Sequence, residues 1–213
     1  MTEARRHTVR ARGAVTAAGA IVLPVTLMAA AACGAPDRTR VSRVDPAYDA
    51  SSGRLVQLRY DSNDDGRPDT VSFMDGARML RTEIDVDRDG LVDRWEYHDA
   101  AGQLVRVGFS RVGDGKEDAW SFAGPDKTVS RVELSTARDG TVDRTEHYGA
   151  TGLASAEEDT DRDGSVDKWE TYDHGRLVSV AFDTSHRGTP DRRLVYDAAG
   201  MARVETIADA RRP

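Results

Sequence analysis

The sequence predicts an all-β fold, a repetitive antiparallel β-hairpin meander of about six 24–25-residue repeats, elongated, after an N-terminal signal segment. Three observations predict it. Glycines recur at Gly66, Gly90, Gly115, Gly140, Gly164 and Gly188, spaced 24, 25, 25, 24 and 24 residues apart. An aspartate stands three residues after each one, at Asp69, Asp93, Asp118, Asp143, Asp167 and Asp191. Only 12 or 13 residues separate one twelve-residue acidic loop from the next, and that stretch carries a glycine turn of its own, as in Asp99-Ala100-Ala101-Gly102. Two useful helices do not fit in that length, and the turn would break one. Two strands of about five to seven residues joined by a tight turn do fit.

Composition agrees with an open array. The chain has 213 residues, 38% hydrophobic and 6% aromatic, which provides a thin core for a single compact globule of this length. The first 32 residues carry four arginines against one glutamate, so the net charge of −7 leaves −10 on the rest. An acidic body argues against nucleic acid as a partner and for cations or a basic surface. One cysteine permits no disulfide within the chain.

Met1 to Gly13 is basic, and Ala14 to Ala32 is apolar, interrupted by Pro24. A basic segment, an apolar segment and small residues before a cut site make a secretory signal. Ala30-Ala31-Ala32-Cys33-Gly34 resembles the lipobox of bacterial lipoproteins, with Ala30 where leucine is usual. The resemblance implies cleavage before Cys33 and lipidation of its thiol. A transmembrane anchor is the competing reading, because 19 apolar residues can span about 30 Å; the alanine-rich composition makes this run only weakly membrane-seeking. Gly34 is not the aspartate that retains such proteins at an inner membrane. The expected location is therefore the bacterial cell envelope, lipid-anchored, and the outer membrane in a Gram-negative cell. The expected organisation is a signal peptide over 1–32, lipidated Cys33 and a flexible tether over 33–47, and the repeat array over 48–213.

The array opens with Tyr48-Asp49-Ala50-Ser51-Ser52-Gly53-Arg54-Leu55. Related segments follow at Tyr97 to Leu104, Tyr172 to Leu177 and Tyr196 to Gly200. They resemble the YD repeats of RHS-type bacterial proteins, which build long β-hairpin arrays. The flanks alternate as strands should: Trp95 and Tyr97 share one face, and Arg94, Glu96 and His98 the other. Return strands such as Leu104-Val105-Arg106-Val107 and Leu177 to Phe182 are rich in β-formers. About thirteen short strands are expected.

The loops carry the chemistry. Asp159, Asp161, Asp163, Gly164, Asp167 and Glu170 occupy positions 1, 3, 5, 6, 9 and 12 of a twelve-residue segment, as do Asp85, Asp87, Asp89, Gly90, Asp93 and Glu96. A hard divalent cation takes six to eight oxygens, and alternate carboxylates curled by a glycine at positive φ aim at one centre. The spacing is similar to that of EF-hand calcium loops, and the acidic run also resembles thrombospondin type 3 repeats and dockerins. The resemblance implies Ca2+ as the cofactor, with the position-7 backbones of Leu91 and Ser165 as further ligands. Asp61, Asn63, Asp65 and Asp69 form a third candidate in which Ser72 replaces the final acid. Val112 and Ala137 interrupt the Gly115 and Gly140 loops, and Arg187 stands in place of an acid before Gly188. Glycine with the following aspartate thus reads as a turn device in every repeat, and the earlier acids as the metal-specific part. One geometric condition bears on Glu96 and Glu170: in a strand beginning at position 9, positions 9 and 12 point to opposite faces, and the glutamates become strand residues.

Trp95, Trp120 and Trp169 all stand at position 11. They read as a packing stripe or as an exposed platform for a sugar or peptide, and Val71, Thr145 and Arg193 interrupt the platform. No nucleophile motif, phosphate loop or paired-histidine spacing occurs, so catalysis is not expected. The functional expectation is a calcium-binding, lipid-anchored cell-envelope repeat protein with a structural or spacer role. The alternative is a surface binding module or adhesin that recognises glycan or an envelope protein through one face of the sheet. In both, lipid on Cys33 makes the membrane a partner, and nucleic acid is not one.

Overall fold

The computed structural model describes residues 43–207; Cys33 and the signal segment lie outside the described residues. The described residues hold β1 (Val44–Tyr48), β2 (Leu55–Tyr60), β3 (Thr70–Asp75), β4 (Arg78–Ile84), β5 (Arg94–His98), β6 (Leu104–Phe109), β7 (Ala119–Ala123), β8 (Val129–Leu134), β9 (Arg144–Gly149), β10 (Gly152–Glu158), β11 (Lys168–Asp173), β12 (Arg176–Phe182), β13 (Arg192–Tyr196) and β14 (Ala202–Thr206). They form one fourteen-stranded sheet in strict sequence order, each strand antiparallel to its neighbours. The sheet is an open meander with β1 and β14 as its edges. The count exceeds the expected thirteen, and the first strand takes in the end of the stretch assigned to the tether. Pro46 lies in this edge strand, where its missing N–H costs no ladder bond.

Strict alternation sorts the connections to two rims. The six acidic loops join even-numbered strands to the next odd-numbered ones along one rim, and the tight turns lie along the other. A register shift sits beside the tight turn in every such hairpin except β13–β14. Each shift adds local twist next to the turn, as a bulge does. The loop-side pairings run without one.

No second layer covers the sheet among the described residues, so its buried apolar set is small: Trp95, Val107, Ala119, Ala156, Val180 and Ala181. Cross-strand neighbours do the covering. Val107 pairs with Glu96, Ala156 with Glu146 and Glu170, and Val180 with Glu170. The long side chains on that face are tied down by ion pairs. Arg144 reaches Glu146 and Glu158 at 3.0 Å and Glu170 at 2.7 Å, and Lys168 reaches Glu158 at 2.9 Å and Glu170 at 2.8 Å. On the opposite face, guanidinium groups stack on aromatic rings: Arg81 on Phe73, Arg106 on Tyr97 and Arg131 on Phe122, at 4.4, 4.0 and 4.1 Å. Their stems cover apolar surface, and the charges of Arg81 and Arg131 pair with Glu83 at 2.7 Å and Glu133 at 3.1 Å. Gly108 is buried for a local reason. The Glu117 side chain lies where a Cβ at Gly108 would stand, and there it accepts hydrogen bonds from Tyr97 and the Trp120 indole.

Candidate metal centres

Each acidic loop is held by its own polar side chains. The position-9 aspartate accepts from the position-2 amide in all six loops, for example Val86 N to Asp93 at 2.8 Å and Thr136 N to Asp143 at 2.8 Å. The position-1 oxygen accepts from the position-6 glycine amide in five loops, at 2.8 Å for both Asp85–Gly90 and Asp159–Gly164. Position 5 closes a further turn, as where Leu91 N donates to Asp89 at 2.8 Å. These bonds depress several carboxyls. The Asn63 amide and the Arg67 N–H hold Asp65 below its ordinary value. The Thr141 N–H does the same for Asp139. At Asp183 burial pushes upward, but the Ser185 hydroxyl and the amides of Gly188, Arg187 and Ser185 outweigh it, and the carboxyl stays low.

Among the described residues, three carboxylates converge in two loops. Asp85, Asp87 and Asp93 each place an oxygen within 4.8 Å of the others, and so do Asp159, Asp161 and Asp167. Oxygens bound to one calcium ion at about 2.4 Å can lie no more than about 4.8 Å apart, so these sets fit one ion. Positions 1, 3 and 9 therefore supply the nucleus of each candidate centre. Asp163 instead groups with Asp161 and the His186 imidazole. Asp89 stays with its own turn. Leu91 and Ser165 follow in the loop, their amides donating to Asp89 and Asp163, each at 2.8 Å.

The position-12 glutamates lie in the sheet. The strands begin at position 10, and Glu96 pairs with Arg94 at 2.7 Å while Glu170 is taken by Arg144, Lys168 and the Tyr172 hydroxyl. Burial pushes the Glu170 carboxyl up, but Lys168 and Arg144 outweigh it and hold it below the ordinary glutamate value. In the first loop Asn63 donates to Asp65 at 2.9 Å, and the Ser62 hydroxyl donates to Asp69. Among the described residues, this loop brings no three carboxylates together as the other two do.

Position 4 was not singled out from the sequence, yet it is the loop's second constant. Asp64, Arg88, Gly113, Arg138, Arg162 and His186 all take positive φ, between 52° and 68°. The recurring Arg-Asp-Gly triplet at Arg88, Arg138 and Arg162 was the available signal. Neighbouring loops are also joined through the backbone. The position-9 carbonyl of one loop accepts from the position-1 N–H of the next, as in Asp85 N to Asp69 O at 2.9 Å, Ser110 N to Asp93 O at 2.8 Å and Asp183 N to Asp167 O at 2.9 Å.

No protein-family model matches the chain, and no curated protein matches it in sequence. Among solved structures the chain is similar to TarM of S. aureus, with a TM-score of 0.36 and 9% identity over 46% of this chain and 19% of that one. It is also similar to accessory secretory protein 1, 2 and 3 of Streptococcus pneumoniae, at 0.34 and 11% over 61% and 19%. A porin-like protein from Bacteroides uniformis aligns at 0.26 and 11% over 76% and 87%. The chain thus spans about a fifth of the first two, and likenesses this weak carry no functional implication.

Proposed function

We propose that this chain is a calcium-binding, lipid-anchored repeat protein of the bacterial cell envelope, in which the sheet acts as a structural or spacer element and performs no catalysis. The observation that carries the reading is the convergence of Asp85, Asp87 and Asp93, and of Asp159, Asp161 and Asp167, at the same positions of two loops. Three carboxylates held this close repel one another, and a divalent cation relieves that repulsion. Because the unfolded chain lacks the convergence, binding stabilises the fold by RT ln(1 + [L]/Kd). Extracellular calcium modules bind at about 10⁻⁴–10⁻³ M, a range that suits the outside of a cell. The lipid on Cys33 rests on the lipobox resemblance alone. The spacer reading is favoured over an adhesin because Trp95 is buried, and the Trp120 indole is engaged by Glu117.

Calorimetric titration of the purified full chain in detergent tests this, with Asp87→Ala and Asp161→Ala beside the wild type. Two saturable calcium sites are expected, each substitution removing one, together with a melting temperature that rises with calcium. Absence of heat, with melting unaltered by chelator, refutes the calcium reading. Loss of Cys33→Ser from the membrane fraction tests the anchor.

A further inference from the structure

We propose that position 4 of each loop determines whether the loop before it can take a metal ion: arginine there fills the preceding loop with a resident guanidinium, and Gly113 and His186 leave their predecessors open. The proposal rests on the calcium reading of the Asp85–Asp93 and Asp159–Asp167 loops and names the residues that select them.

The geometry is repeated. Left-handed backbone at position 4, together with the carbonyl link between neighbouring loops, brings this side chain back against the previous loop. Arg88 Nε stands 3.7 Å from Asp69 Oδ2 of the first loop. Arg138 Nε stands 3.3 Å from Asp118 Oδ2 of the third, and its other arm pairs with Asp114 of the same loop. Arg162 Nε stands 3.9 Å from Asp143 Oδ2 of the fourth. Arg88 and Arg162 also line the grooves between their own loops and the preceding ones. In each case the cation meets the position-9 carboxylate, the same group that the open loops contribute to their clusters.

Of the five loops that have a successor, the two with converging carboxylates are the two whose successor lacks this arginine, although Val112 and Ala137 already remove a ligand from the third and fourth. After Asp85–Asp93 comes Gly113, which has no side chain; a Cβ built on it would stand 3.8 Å from Asp93 Oδ1. After Asp159–Asp167 comes His186, whose Nδ1 lies 3.4 Å from Asp161 Oδ2 and which groups with Asp161 and Asp163, not with Asp167. An imidazole nitrogen can itself ligate a divalent cation, whereas a guanidinium has no lone pair to offer. The first loop is the informative contrast. Asp61, Asn63, Asp65 and Asp69 are all oxygen donors, so composition alone would admit an ion, and Arg88 supplies the opposing charge. A fixed positive charge within contact range of the carboxylates competes with a dication for the same lone pairs.

The test is calcium titration of the full chain in an Asp161→Ala background, which isolates the Asp85–Asp93 site. Gly113→Arg grafts the missing arginine, and its backbone suits the residue, since Gly113 has φ 68° against 67° for Arg88 and 61° for Arg138 and Arg162. Gly113→Gln provides bulk without charge, and Arg88→Gly removes the cation from the first loop. Gly113→Arg is expected to weaken calcium about tenfold or more, Gly113→Gln to stay within about twofold, and Arg88→Gly to add a site, all with unchanged far-ultraviolet circular dichroism. Unchanged affinity in Gly113→Arg, or equal weakening by Gly113→Gln, overturns the proposal alone. A Gly113→Arg chain that has lost its β signal is replaced by Arg88→Gly, where failure to gain a site overturns it. Absence of calcium heat in the wild type overturns the calcium reading and this proposal with it.

Discussion

Arg144→Ala removes the guanidinium that ties β9, β10 and β11 together, and its cost can be worked from the ion pairs around it. Arg144 is 13% exposed and bridges Glu146, Glu158 and Glu170, which are 16, 21 and 10% exposed. Removing one partner of a buried pair costs about 3–5 kcal/mol, because the remaining charge is left uncompensated. Two groups soften the loss: Lys168 still reaches Glu158 and Glu170, and the Tyr148 hydroxyl still donates to Glu146 at 2.8 Å. The expected cost is therefore at the low end, about 3 kcal/mol. For a domain of this size that corresponds to a melting temperature lowered by about 6–12 °C. Arg59→Ala is the control, since Arg59 and Asp45 lie 3.7 Å apart and are 47 and 74% exposed, a pair worth about 0–1 kcal/mol. Arg144→Lys should fall between, because an ammonium cannot fork to three carboxylates. Thermal and urea melts with chelator present measure all three. If Arg144→Ala is no more costly than Arg59→Ala, the charged ladder does not hold the sheet and the reasoning fails.

Three further outcomes are expected. Glu96→Gln and Glu170→Gln should leave calcium affinity within about twofold of wild type, because both glutamates are engaged in the sheet, while Asp93→Asn should weaken it about tenfold or more; calorimetry separates them. Acid should destabilise the metal-free protein: Glu170 is held below its ordinary 4.5, and Asp139 and Asp183 below 3.8, so their contribution is present above those values and lost as pH falls through the lower folded ones. Urea midpoints with chelator should be flat from neutral to about pH 5 and then fall, and a midpoint at about pH 3 equal to the neutral one would contradict this. Gly108→Ala should displace Glu117 from Tyr97 and Trp120, costing about 1–3 kcal/mol and altering the near-ultraviolet circular dichroism; an unchanged aromatic spectrum would show that Glu117 does not depend on that gap.

The repeat period carried the fold into the sequence because the period is backbone geometry. A glycine at positive φ followed by an aspartate that caps the position-2 amide specifies the loop turn wherever it occurs, as at Gly90 with Asp93 and Gly140 with Asp143. Alternation then fixed which residues share a face. Two things were less legible. The start of the sheet at Val44 lies before the first Tyr-Asp segment, because an edge strand needs pairing on one side only and carries no motif. The role of position 4 lies between repeats: Arg88 meets Asp69, and Arg138 meets Asp118, across a stacking that reading one loop at a time cannot represent. In the last loop the Arg187 backbone N–H is among the donors to Asp183, at 2.7 Å, and the contact with the preceding loop is made by the His186 imidazole, 3.4 Å from Asp161.

A sheet with no second layer among its described residues cannot rely on a deep core, and the same chemistry that compensates also shapes where metal could act. On the faces, carboxylates are matched: Arg81 pairs with Glu83, Arg94 with Glu96, Arg131 with Glu133, and Arg144 serves three at once. Along the loop rim the acids outnumber such partners, and the arginines at position 4 match them in only some loops. The remaining excess is concentrated at Asp85–Asp93 and Asp159–Asp167. In a quasi-one-dimensional array each unit is stabilised by its neighbours, so a weak junction limits the cooperativity of everything beyond it. Those two loops join β4 to β5 and β10 to β11, one toward each end of the sheet. A cation bound there would strengthen the two junctions that protein charges leave unbalanced, and its removal would loosen the array at those points first.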